Sequence, residues 1–408
     1  MNSHNSAFAA LRHRDFRLLW MGQIVSVTGS QMQFVAINWH VYLLTKSAFA
    51  LGLVGLFRGV PIILCSLAGG VVADAVDRKR LMMVTQTIML TSAALLTAGT
   101  LAGFENVWPI YMLSGLASAA TAFDVPARQA LLPTLVPADE FPNAVSLGIL
   151  VFNVSTIAGP AIAGFLLAER GPAVIYALNA FSFLAVIAAL IAMRTSGKAD
   201  DERNRKEALS FGALKEGLKF VWHTPIIVQT MTLDFAATFF ASATLLLPIF
   251  AQERLHVGAR GYGFLAAAPA IGSVLTALVM ARFGSFRRQG RLVVGSVAVF
   301  GVATAAFGVS TVYWFSLLML AVTGASDTVS TVLRQTIRQL VTPNHLRGRM
   351  TSINMMFFMG GPQLGELEAG SLAALIGAPL SVVTGGLGSL ICAAIAAVKS
   401  KSLMEFEI

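Results

Sequence analysis

Residues 69–80 read GGVVADAVDRKR: two glycines and an apolar stretch, aspartates at 74 and 77, then three basic residues in succession. The apolar run that it closes reaches back to residue 49, long enough to cross a bilayer core about 30 Å thick, which takes roughly 20 residues of helix. A glycine at 69 or 70 lets two helices approach closely. Asp74 falls at the membrane boundary, where a carboxylate can pair with arginine or accept from a helix N-terminus. The basic run anchors the turn into the next helix.

Outward from this turn the same plan repeats. Apolar runs of spanning length are placed near 17–44, 49–73, 81–103, 108–130, 143–168, 172–193, 226–250, 260–282, 291–309, 313–335, 350–376 and 378–398. The expected fold is therefore an all-α membrane protein with 12 transmembrane helices. Composition agrees, because 56% of the 408 residues are hydrophobic and 12% are charged, half of the roughly 25% that a soluble domain carries. A soluble enzyme, a disordered chain and a nucleic-acid binder are excluded, even though the net charge is +9.

The basic excess reads instead as an orientation signal, since Lys and Arg collect on the cytoplasmic side of membrane proteins. With the N-terminus inside, 24 of the 29 basic residues fall on the inner side; Lys46, Arg170, Arg254 and Arg260 fall outside, and Arg58 lies within a span. Both termini are expected in the cytoplasm. The opening residues are too polar and charged for a cleavable signal peptide, so the first helix is expected to be retained. Cys65 and Cys392, far apart in sequence, suggest neither a disulfide framework nor a metal site.

The polar stretch TSGKADDERNRKEAL, residues 195–209, divides the runs six and six. At an offset of 206 residues, Arg128-Gln129 falls on Arg334-Gln335, Pro137 on Pro343, Ser146 on Ser352, Gly159 on Gly365 and Gly164 on Gly370. Colinear matches of this kind argue for duplication, and for two pseudo-symmetric six-helix bundles, residues 1–194 and 225–408, joined by a cytoplasmic linker, 195–224. Within that linker, residues 209–224 read either as an amphipathic helix on the inner membrane surface, with Leu209, Leu214, Leu218 and Val221 near one side, or as a plain connection.

The 69–80 stretch resembles the signature loop between helices 2 and 3 of the major facilitator superfamily. Gly70, Asp74, Arg78 and Lys79 match its pattern, while Asp77 stands where the pattern has glycine and Ala75 where it has a basic residue. An acidic residue before the basic run resembles the bacterial branch of enterobactin exporters and macrolide-efflux-like permeases. So do FRLLW (16–20), FDVPARQA (123–130), VTPNHLRGRM (341–350) and GPQLGELEAG (361–370). Helix 5 carries Gly159-Pro160 and Gly164, which resemble the bent, sealed helix of drug:proton antiporters, with Ala163 in place of one glycine. The resemblance implies that helices 1, 4, 7 and 10 line a central cavity, flanked by 2, 5, 8 and 11, and that the signature loop locks the cytoplasmic ends.

A charge at the bilayer centre costs about 2.5–3.5 kcal/mol on insertion scales, so each needs a partner or a watery cavity. Arg58 can neutralise a carboxylate, contact an anionic substrate, or reach outward. Asp124 and Arg128 are four apart on one helix face and suit gating, by pairing with each other or with the Asp74 loop. Asp327 and Arg334, seven apart, suit the equivalent latch in the second half. Glu366 and Glu368 point about 200° apart, and the first half has Pro160 and Ile162 at the matching positions, so the fold does not demand these carboxylates. Either can carry a proton, or be a buried partner of Arg58; Asp234 is the next proton candidate. For substrate contact, the amide and aromatic residues on the lining and flanking helices are Gln23, Gln31, Asn38, Asn153, Phe235, Phe239, Asn354, Phe357 and Gln363, a mixture that suits a bulky, partly apolar ligand.

These readings converge on a proton-coupled exporter of a small amphipathic molecule, a siderophore or a drug, in the bacterial inner membrane. The alternative is an importer or facilitator of a small metabolite on the same fold. No zinc motif or cysteine–histidine pairing appears and His40 stands alone, so an enzyme is not expected, nor is a cofactor. The expected partners are the substrate, protons and the bilayer; a monomer is expected, and no nucleic acid.

Overall fold

The computed structural model describes residues 8–103, 105–197, 218–240, 243–284, 286–343 and 346–407, without the side chains of Asp74, Phe357 and their less certain neighbours. Among these residues the chain forms twelve helices of 16 to 32 residues. They are α1 (Arg14–Thr45), α2 (Ala48–Ala75), α3 (Arg78–Leu101), α4 (Trp108–Leu131), α5 (Phe141–Arg170) and α6 (Pro172–Ala192), then α7 (Pro225–Phe240), α8 (Gly258–Phe283), α9 (Gln289–Val309), α10 (Tyr313–Val341), α11 (Arg347–Ile376) and α12 (Ala378–Lys399). Nine of the stretches are long and apolar enough to cross a membrane. α1 and α4 fall short because they carry polar side chains, among them Gln23, Gln31, Asn38, Asp124 and Arg128, and of α11 only part is described.

The seventh run is not one continuous helix. α7 is described as far as Phe240, and from Ala243 on a 3-10 turn (Ala243–Leu246), a short helical turn (Leu247–Ile249) and a π turn (Phe250–Arg254) complete the span. Pro248 lies in this broken segment, where a residue without an N–H interrupts the helical ladder. α10 runs six residues beyond its expected end at 335, which puts Arg338 on the same helix as Arg334. Of the 209–224 stretch, 209–217 lies outside the described residues. Residues 218–223 are helical, with Val221 buried and Leu218 and Trp222 exposed.

Two compact units form: Met1–Leu44 with Val60–Lys206, and Thr45–Gly59 with Glu207–Ile408. Of the three boundaries, one falls within the expected linker and one at the end of α1; the third passes through α2, where the sequence gives no sign of one. In the first unit α3 packs on α4 and α6, and α5 on α6; in the second α9 packs on α10 and α12, and α11 on α12. The pairs are equivalent at a step of six helices. The cores repeat as well. Phe16, Met82, Leu131, Leu147 and Leu190 gather the starts of α1, α3 and α5 and the ends of α4 and α6. Ile227, Val293, Ile337, Met350 and Ala396 gather the matching ends in the second unit.

Glycine sets the closest approaches. Gly69 of α2 lies against the Ala122 backbone of α4, and Gly272 of α8 against the Ala321 backbone of α10, the helix pair six steps on. Lipid tails supply no hydrophobic drive between helices, so such backbone contacts carry much of the packing. Large apolar side chains such as Leu64, Leu101, Trp314 and Leu375 remain exposed, as a lipid-facing surface requires.

Candidate functional site

The charges of the 69–80 turn act on helix ends. Asp77 caps α3 by accepting from the Arg80 backbone N–H at 3.1 Å. Arg78 donates to the Ala130 carbonyl at 3.0 Å and Lys79 to the Met193 carbonyl at 2.7 Å, so two cations satisfy the last carbonyls of α4 and α6, where the helix dipole favours positive charge. Asp15, ahead of the apolar part of α1, accepts from the Arg194 and Thr195 backbone N–H groups and the Thr195 hydroxyl at 2.9, 2.8 and 2.6 Å. Burial raises the Asp15 carboxyl, but the Thr195 and Arg194 hydrogen bonds, with Arg14 beside it, hold it below the ordinary aspartate range. Gly70 makes no close approach, for a Cβ there meets nothing within 4 Å; that role falls to Gly69. The Asp74 side chain lies outside the described residues.

Asp124 and Arg128 do not pair with each other. Asp124, 4% exposed, accepts from the Thr85 hydroxyl at 2.9 Å and the Gln86 amide at 3.0 Å, both on α3. Arg128 donates to the Gln23 side-chain oxygen on α1. Its repeat partner behaves alike, because Arg334 of α10 reaches the first helix of its own half: its Nη2 lies 2.7 Å from Asp234 of α7. The contact is close but without aligned hydrogen-bond geometry at Asp234 Oδ1. Asp327, the partner that the spacing of seven implies, lies farther, at 4.0 Å, with its side chain 48% exposed. Arg338, which the sequence reading left among the loop charges, is 3% exposed and donates to Asn354 of α11. Two carboxylates and two guanidiniums thus cluster with no net charge, as burial in low dielectric demands.

A second charged contact joins α11 to the first part of α2. Gly55 lies against Glu366, where a Cβ would come 2.6 Å from both the Glu366 Cβ and Oε2, and Gly59 lies against Gln363. Arg58 is an attractive charge to Glu366. The Gln363 side-chain oxygen is buried without a hydrogen bond among the described residues. Glu368 has no ion pair or hydrogen bond there, and Glu366 is the carboxylate that faces α2.

The remaining candidates scatter. Gln31 packs its Cβ against Gly159, where α1 comes close to α5. Pro160 and Gly164 are buried within the same helix. Asn38 is buried and Asn153 partly exposed. Phe235 and Phe239 stack, with ring centroids 5.8 Å apart. The Phe357 side chain lies outside the described residues. His40 is not alone: its Nδ1 lies 3.1 Å from the Tyr176 hydroxyl. Sequence reading also missed Thr85 and Gln86, which hold Asp124, and the Asn179 amide that donates to Gln33 at 2.8 Å; no signal along one helix reveals such cross-helix partners. No cluster of three or more metal-ligating side chains occurs among the described residues.

Solved structures share the fold. A bacterial homolog of the human lysosomal transporter Spinster, inward-facing and unoccupied, matches with a TM-score of 0.74 at 13% identity, over 96% of this chain and 98% of that one. A POT family transporter crystallised with 5-aminolevulinic acid matches with a TM-score of 0.74 at 11% identity, over 96% and 97%. In sequence, the multidrug efflux pump Tap of Mycolicibacterium fortuitum is 25% identical over 364 residues, 87% of this chain and 88% of its own length. The enterobactin exporter EntS of Escherichia coli O81 (strain ED1a) is 24% identical over 379 residues, 93% and 90%. A family model described as transmembrane secretion effector matches residues 5–407. With that match across nearly the whole chain, the protein belongs to the transmembrane secretion effectors, membrane transporters of the major facilitator superfamily.

Proposed function

We propose that this transporter exports a small amphipathic molecule, a siderophore or a drug, in exchange for protons, by alternating access across the bacterial inner membrane. Efflux by the relatives Tap and EntS supports the direction. The observation that carries the coupling is Glu366, a carboxylate set among glycines of α2 with Arg58 as its attractive charge. A carboxylate that the fold does not require, at a helix contact that must part for access to alternate, suits a proton carrier. Ionised, Glu366 attracts Arg58; protonated, it releases that attraction. Among the described residues Glu368 has no such partner, and Asp234 is committed to Arg334, so both rank behind it.

The other charged contacts take the gating role. Asp77, Arg78 and Lys79 fasten the ends of α3, α4 and α6, and Asp74 stands beside them in sequence. Asp124, Arg128 and Arg334 tie α4 and α10 to their neighbours. The substrate is met by the amide and aromatic residues named from the sequence, with Phe235 and Phe239 as a stacked apolar face. The transporter works as a monomer, as two six-helix halves about the 195–224 linker, with both termini in the cytoplasm.

The test is uptake of candidate siderophores and drugs into everted membrane vesicles energised by a proton gradient. Gradient-driven uptake, abolished by an uncoupler, is expected for an exporter; accumulation in right-side-out vesicles instead would make it an importer. Glu366→Gln should abolish gradient-driven transport while substrate exchange without a gradient persists. Full gradient-driven transport in this variant removes Glu366 from the coupling role.

A further inference from the structure

The chain leaves α6 at Ala192, and residues 193–197, the start of the linker, are not helical, so their backbone groups need partners from elsewhere. The first unit supplies them. Asp15 Oδ2 accepts from the Arg194 and Thr195 N–H groups at 2.9 and 2.8 Å. Lys79 Nζ donates to the Met193 carbonyl at 2.7 Å, and the Arg78 backbone N–H donates to the Gly197 carbonyl at 2.9 Å. The Met193 side chain is buried in the same core as Phe16 and Met82.

Gly197 closes the contact sterically. It is buried, and a Cβ there would fall on Asp77 Oδ1 and come 2.8 Å from the Lys79 Cβ. The same Asp77 oxygen is held in place by the Arg80 N–H at 3.1 Å, as the cap of α3. A side chain at 197 therefore fits only if the segment withdraws. The aspartate that stands where the family pattern has glycine occupies the space that a glycine across the contact leaves free.

We infer that Asp15 and the Asp77–Lys79 turn form a docking site for the chain's own linker, which they grip at residues 193–197. The grip is aimed at backbone groups, with the Thr195 hydroxyl, 2.6 Å from Asp15 Oδ2, as its one side-chain bond to that carboxylate from the linker. It depends on the path of the segment and on the missing side chain at 197. The far end of the linker is fastened as well, since residues 218–223 are helical and Val221 is buried in the core of the second unit. The stretch that runs from one fastening to the other is thus 198–217, shorter than the polar linker read from the sequence. Every member of the grip belongs to the first unit, so it stays shut while that unit moves as a body, and its test needs neither substrate nor proton gradient.

The experiment is limited trypsin digestion of the purified full-length transporter in detergent, with the cut after Arg194 followed by mass spectrometry. Arg194 is exposed, so the resistance of its bond to Thr195 reports the grip, and cleavage follows the population of the opened segment. The wild type should resist at Arg194. Gly197→Leu, Asp15→Ala and Lys79→Met should each speed that cut by roughly tenfold or more, the loss of the fit at 197 or of a charge-assisted hydrogen bond. Thr195→Val, which keeps both N–H groups on Asp15, should speed it less than Asp15→Ala. Rapid cutting after Arg194 in the wild type, or an unchanged rate in all three variants, would overturn the inference. So would cutting after Arg194 no faster than after Arg128 within α4, because the unit would then be opening as a whole. If Gly197→Leu fails to fold, Asp15→Ala and Lys79→Met decide the matter by the same readout.

Discussion

Arg334, with its side chain 1% exposed, shows what residue spacing reveals and what it hides. The interval of seven on one helix predicts Asp327 as its partner, yet the nearer carboxylate is Asp234, presented by another helix. Arg338 was hidden otherwise: four residues beyond Arg334, it shares a face that becomes visible only when α10 is followed to Val341. Removing one member of a buried ion pair costs about 3–5 kcal/mol, because the other charge is left uncompensated. Arg334→Leu should therefore destabilise the protein by about that much in detergent unfolding, and adding Asp234→Leu should restore part of the loss. A double variant no more stable than the single would mean that the two charges are not coupled. Asp15 gives a pH test. Its folded carboxyl lies below the ordinary value of 3.8, so its contribution is full above that value and is lost as pH falls through the folded value. Asp15→Asn should be less stable than wild type at neutral pH, and the gap should close on acidification below about pH 4. A gap that widens in acid would contradict the Thr195 contact as its source.

At the scale of helices, the apolar runs were legible because a bilayer demands them, and every expected run contains helix. What the runs do not carry is the change to 3-10 and π turns within Ala243–Arg254, or the assignment of close contacts among neighbouring glycines. The family pattern singles out Gly70, whereas the structure puts the Ala122 backbone against Gly69. A backbone neighbour cannot swing aside as a flexible side chain can. Gly69→Ala should consequently lower the folded yield in detergent, measured by size-exclusion chromatography, while Gly70→Ala folds as wild type. Equal yields for the two would show that α2 and α4 tolerate a wider spacing. If Gly70→Ala folds but fails to transport, its role belongs to another step of the cycle, since nothing in this state opposes the added methyl.

At the scale of the whole molecule, the sequence repeat at 206 residues anticipated equivalent helix pairs and equivalent cores, because duplicated sequence must bury the same faces. It did not anticipate that Thr45–Gly59 groups with the second unit, since Gly52, Gly55 and Gly59 read as ordinary membrane-helix glycines until Gly370, Glu366 and Gln363 are seen against them. In both units the cores gather at the helix ends that carry the basic clusters, with Arg78 and Lys79 in the first and Arg334 and Arg338 in the second. If Lys and Arg mark the cytoplasmic side, both core ends face inward, and the loops after α3 and α9 face outward. In a background lacking Cys65 and Cys392, Glu105→Cys and Thr311→Cys should then react with a membrane-impermeant maleimide in intact cells. Asp139→Cys and Arg287→Cys, exposed at the opposite helix ends, should react only after the membrane is disrupted. The reverse pattern would invert the transporter and, with it, the direction assigned to proton flow. Labelling of Glu105→Cys and Asp139→Cys from the same side would be fatal to α4 as a spanning helix, and so to the six-and-six plan.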